Sequence, residues 1–143
     1  MARVPLLRPE EAAPEARELF QRLEARGARV LNIYRALAHT PEAMRHFLRL
    51  GNTLLERSHL SPRLRELAIL RVANLSGSAY EWAQHVPLAL ECGVTREQVD
   101  ALGEWRASAA FNAQERAVLA YTDEVAQHVR AQDATCQELA RHV

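Results

Sequence analysis

The sequence predicts an all-α protein, a helical bundle centred on an antiparallel helix hairpin. The chain is dominated by Ala, Leu, Arg and Glu, which favour helices. Apolar residues recur at helical spacing, and no stretch alternates as a half-buried strand would. Ser-Pro, Thr-Pro and glycine mark helix starts and stops.

Pro14 opens the first helix, with Ala16, Leu19, Phe20 and Leu23 on one face and Gly27 as a stop. Val30, Leu31, Tyr34, Leu37 and Ala38 mark a second helix. Thr40-Pro41 caps a third, with Met44, Phe47, Leu48 and Leu55 on its apolar side. Ser61-Pro62 opens a fourth, whose body from Leu64 to Ala73 is apolar nearly all round. Such a helix is packed on several sides, so Glu66 within it is expected to be buried. Ser76-Gly77 breaks it, and Ser78 starts a fifth helix that Pro87 should kink and Gly93 should end. Thr95-x-x-Gln98 is a capping box for a short sixth helix. A loop spans Gly103 to Phe111, and Asn112 with Glu115 caps a seventh helix carrying Val118, Tyr121 and Val125. Thr135 reads as the cap of a last, short helix.

At 143 residues the length suggests a single domain over 1–143. Basic and acidic residues both number 18, so no basic field points to nucleic acid or a membrane surface. Every one of those 18 basic residues is arginine, which excludes Schiff-base lysine chemistry. No run approaches the roughly 20 apolar residues of a membrane span. Cys92 and Cys136 stand in no zinc or redox spacing, and the expected setting is the reduced cytoplasm.

Candidate chemistry gathers at Ser78-Ala79-Tyr80-Glu81-Trp82-Ala83-Gln84-His85. Ser78, Glu81 and His85 are spaced three then four and share a helix face. Folding the fourth helix back through the Ser76-Gly77 turn puts Glu66 and His85 at similar depth, roughly 12 to 15 Å from the turn. A carboxylate beside an imidazole, out of water, is the raw material of proton transfer. The helix start adds N–H groups that favour an anion.

Each residue also has an ordinary reading. Ser78-x-x-Glu81 satisfies a capping box as written. A lone His85 commonly serves structure, and Glu66 has Arg65 and Arg71 as possible ion-pair partners. Glu66, Glu81 and His85 also offer three metal ligands, but helical di-metal sites use two Glu-x-x-His segments, and this chain has one Glu-x-x-x-His. No metal or cofactor is therefore expected.

The stretch from Leu60 to Ala73, with Gly77-Ser78-Ala79-Tyr80-Glu81-Trp82, His85 and Gly93 to Val99, resembles the carboxymuconolactone decarboxylase and AhpD-like alkylhydroperoxidase superfamily. The resemblance is specific from about residue 60 to 102. AhpD-like peroxidases carry a glutamate, a Cys-x-x-Cys opening a helix, and a histidine four residues on. Those positions fall here on Glu66, Ser78 with Glu81, and His85, with Tyr80 before the second of the pair. Both sulfurs are gone, so the family's thiol chemistry cannot run at this position.

The resemblance implies a cofactor-free lyase acting on a small carboxylated lactone or related acid. In it Glu66 orients His85, His85 moves the proton, and Glu81 is the second acid/base. Ser78 and Tyr80 donate to the substrate oxyanion. The alternatives are a peroxidase-type antioxidant activity relying on Cys92, and a non-catalytic oligomeric member. Family likeness further implies self-association, as a trimer or hexamer. Relatives usually continue through one or two more helices, so this chain reads as a short member.

Overall fold

The computed structural model of the protein describes residues 3–143. Among them, all regular structure is helical. The helices are α1 (Pro14–Ala25), α2 (Asn32–Leu37), α3 (Pro41–Arg57), α4 (Pro62–Leu75), α5 (Ala79–Glu91), α6 (Arg96–Ala101), α7 (Ala113–His128) and α8 (Asp133–Ala140). A single 3₁₀ turn, Leu102–Glu104, follows α6.

The contacts divide the chain into two compact units, Met1–Ser58 and His59–Val143. Each closes its own core. In the first, Ala16, Leu19 and Phe20 of α1 meet Ala38 and Met44. Arg35 donates to the carbonyl oxygens of Leu7 at 3.1 Å and Leu6 at 3.0 Å, tying the segment before α1 to α2. Thr40 stands at the N-cap of α3 but makes no side-chain cap bond, so Pro41 at the first helical position is the operative start signal.

The second unit is built on α4, which packs against both α5 and α7. Leu67 and Leu70 are fully buried with Leu102 and Leu119. Burial of each such side chain contributes about 1.5–3 kcal/mol. Ser61 caps α4 by accepting from the Leu64 N–H at 3.3 Å. Arg71 is buried and donates to Asp123 of α7 at 2.5 Å through Nε, and to the Leu102 carbonyl at 3.0 Å. Of the two arginines that might have paired with Glu66, Arg71 is thereby committed elsewhere, while Arg65 Nε lies 3.4 Å from Glu66 Oε1.

The α4–α5 hairpin depends on Gly77, which has φ +63°. Its N–H donates to Asn74 O at 3.3 Å, and the Ser78 N–H donates to Ala73 O at 2.9 Å. These two bonds close a left-handed helix end. A side chain at that φ would cost about 1–2 kcal/mol. Ser78 leaves this turn as the N-cap of α5, accepting from the Glu81 N–H at 3.3 Å. One residue thus finishes one helix and starts the next, which keeps the hairpin tight.

The sixth and seventh helices begin with the full capping boxes expected at Thr95–Gln98 and Asn112–Glu115. Helix α8 starts earlier than the sequence suggests, with Gln132 as N-cap. Thr135 lies inside it and donates to Glu124 of α7 at 2.8 Å instead of capping.

Candidate functional site

The hairpin brings Glu66 of α4 against His85 of α5, with Glu66 Oε2 2.8 Å from His85 Nδ1. Glu66 is 2% exposed, and a carboxylate removed from water must be paired. Its other oxygen, Oε1, lies 3.4 Å from Arg65 Nε. An ionised carboxylate only accepts, so the hydrogen-bond pattern assigns a proton to Nδ1.

Nε2 points to Glu81, whose Oε2 is 3.5 Å away. This changes the reading of the Ser78-x-x-Glu81 motif. Its serine half forms as a cap, while the Glu81 carboxylate turns toward the imidazole. The three groups stand in series: a buried carboxylate, a half-buried imidazole and a half-buried carboxylate.

A cavity of about 690 Å³ opens beside the last of them. Its wall is mostly aliphatic, with Ala68, Ile69 and Val72 from α4, and Val118 and Val125 from α7. Leu139 of α8 borders it too. Glu81 is the member of the trio that lines this space. The geometry puts Glu81 at the wall and His85 between the two carboxylates. Ser78 and Tyr80, expected to bind an oxyanion, are not among the lining residues. Ser78 is engaged in the α5 cap, and Tyr80 is 36% exposed on that helix.

Tyr121 of α7 also lines the cavity, a residue that reads in the sequence only as one more position on the apolar side of its helix. Two other polar wall residues turn away: Ser76 Oγ donates to Val72 O at 2.7 Å, and Thr122 Oγ1 to Val118 O at 2.8 Å. Cys92 is half-buried at the C-cap of α5, and Cys136 is exposed. Among the described residues, no three His, Cys, Asp or Glu side chains are gathered to hold a metal ion. None of the helices among those residues is long and apolar enough to cross a membrane.

Fold and site together define an all-helical protein built round a Glu–His pair on a helix hairpin. Residues 41–124 match the model of the carboxymuconolactone decarboxylase family, and the chain belongs to that family. Two solved structures are similar. One is a protein of unknown function from Agrobacterium tumefaciens, provisionally assigned as the antioxidant defence protein AhpD. It is 28% identical, with a TM-score of 0.68 over 75% of this chain and 74% of that one. The other is a cysteine-to-alanine variant of the debrominase Bmp8 in complex with 2,3,4-tribromopyrrole. It is 22% identical, with a TM-score of 0.74 over 99% of this chain and 76% of that one, and shares the fold. No curated protein matches the chain in sequence.

Proposed function

We propose that this protein is a cofactor-free acid–base lyase in which Glu81 exchanges the proton with substrate. The carrying observation is the series Glu66 Oε2–His85 Nδ1 at 2.8 Å and His85 Nε2–Glu81 Oε2 at 3.5 Å, ending at a cavity wall. Glu81 removes a proton from a carbon next to a carbonyl, breaking the C–H bond. The electron pair is held as an enolate and then expels a leaving group from the adjacent carbon. That group departs with the proton that Glu81 returns. His85 Nε2 can take up the proton between the two steps, and Glu66 neutralises the imidazolium that forms. Glu66 and His85 are positioning residues in this scheme, and Glu81 is the catalytic one.

The family's small lactones supply the carbonyl that this chemistry needs. The debrominase neighbour shares the fold at 22% identity. A peroxidase relying on Cys92 gains no support, because Cys92 does not belong to the cavity wall. Self-association remains part of the proposal through the family. The test is turnover of a lactone panel by His85→Ala. Loss of about 100-fold or more in kcat with the fold intact is expected. An unchanged rate sinks the acid–base assignment.

A further inference from the structure

We infer that the substrate binds as an uncharged molecule with an extended apolar body, presenting one polar group to Glu81 and Tyr121. The inference rests on the acid–base reading of Glu81, and it departs from the carboxylated substrate that the family resemblance implied. Three observations carry it.

The first is charge. Among the described residues, Glu81 is the charged side chain on the cavity wall. A substrate carboxylate there would meet a like charge and no lining arginine, on a wall too apolar to screen the repulsion. The arginines nearest in sequence are committed. Arg71 donates to Asp123, Asn74 and the Leu102 carbonyl, and Arg65 lies beside Glu66.

The second is polarity. The hydroxyls of Ser76 and Thr122 donate to carbonyls of their own helices, and so add little to the wall's capacity to bind polar groups. What remains is the Glu81 carboxylate, the Tyr121 phenol and aliphatic surface from Ala68, Ile69, Val72 and Val118. That suits one carbonyl or hydroxyl on a hydrocarbon or aromatic frame.

The third is size. A cavity of about 690 Å³ falls in the range that buries drug-sized ligands, with room beyond a single small ring. An apolar extension of the substrate would fill Ile69, Val72 and Val118 contacts and supply binding free energy by burial.

Binding, rather than turnover, separates this inference from the reaction on which it rests. The full chain is titrated with two dyes of similar frame, uncharged N-phenyl-1-naphthylamine and anionic 8-anilinonaphthalene-1-sulfonate. The expected result is saturable binding of the neutral dye, with the anion about tenfold weaker or worse. Glu81→Gln should narrow that gap by weakening the penalty on the anion alone. Ile69→Trp should abolish both signals, and Val118→Trp is the second blocking variant in case the first fails to fold. Equal or tighter binding of the anion overturns the inference, and so does neutral-dye binding that neither blocking variant weakens. Failure of both dyes to bind to the folded chain overturns it as well. If dye selectivity holds while His85→Ala turns over lactones normally, the acid–base reading falls and the ligand class stands.

Discussion

Helix α4 carries two buried ionic side chains five residues apart, Glu66 and Arg71, and they are satisfied in opposite ways. Arg71 belongs to a closed network. Asp123 accepts from Arg71 Nε at 2.5 Å, Trp105 Nε1 at 3.1 Å and Arg106 Nη2 at 3.2 Å. The Arg106 guanidinium also stacks over the Trp105 ring at 4.4 Å. Donors and acceptors are matched, and the network holds α4, α7 and the 3₁₀ turn together. Glu66 instead begins a series that runs through His85 to a carboxylate bordering a cavity. One cluster spends its hydrogen bonds on the fold, while the other leaves its last group turned toward space. Burial and pairing alone therefore do not mark function; an unfinished end does.

The contrast predicts different damage from similar substitutions. Asp123→Ala leaves Arg71 buried without its carboxylate and should cost about 3–5 kcal/mol, read by denaturant unfolding. Such a loss would remove activity only by removing the fold. Glu81→Gln should do the reverse. It deletes no buried partner, so stability should move by about 0.5 kcal/mol or less. Turnover should fall about 100-fold or more. A variant that lost stability and activity together at Glu81 would erase the distinction between the two clusters.

Smaller effects are expected at the border of the open cluster, where α8 contributes Leu139 to the wall. Val129, which ends α7, has φ +57° and is 90% exposed. A β-branched residue is strained there, so Val129→Gly should stabilise the protein by up to about 1 kcal/mol, seen as a higher melting temperature.

The smallest effect is the pH response of α8. The Gln132 N–H and the Thr135 hydroxyl hold the Glu124 carboxyl below its ordinary value of 4.5. His142 and then Arg141 hold Glu138 low as well. A depressed carboxyl contributes stability that is present above the unfolded value and lost as pH falls through the folded one. Amide protection across Cys136 to Ala140, corrected for intrinsic exchange, should therefore decline below about pH 4.5. Glu124→Gln should flatten that decline.

Much of this architecture is legible in the sequence. Ser61-Pro62, Gly77 and the Thr95 and Asn112 boxes are local signals, and local signals set helix ends. The Glu66–His85 meeting is also legible, because a tight turn between two helices fixes their register. What is not legible depends on packing between distant elements. Thr135 reads as a cap, but Glu124 across the α7–α8 turn competes for its hydroxyl. Glu81 reads as half of a capping box, and His85 one turn on draws its carboxylate away. Tyr121 reads as a core position, since only the assembled α4–α7 face shows that it borders a cavity. The division into two cores is hidden because both units use the same helical composition.

Proton exchange at carbon tests the role of Glu81 most directly. A neutral lactone with an apolar side chain is incubated with the protein in deuterium oxide, and loss of its α-hydrogen signal is followed by proton NMR. Exchange well above background is expected with the native chain, falling about 100-fold in Glu81→Gln while the melting temperature stays unchanged. Exchange at the same rate in Glu81→Gln, or no exchange with the native chain across neutral lactones, would contradict it.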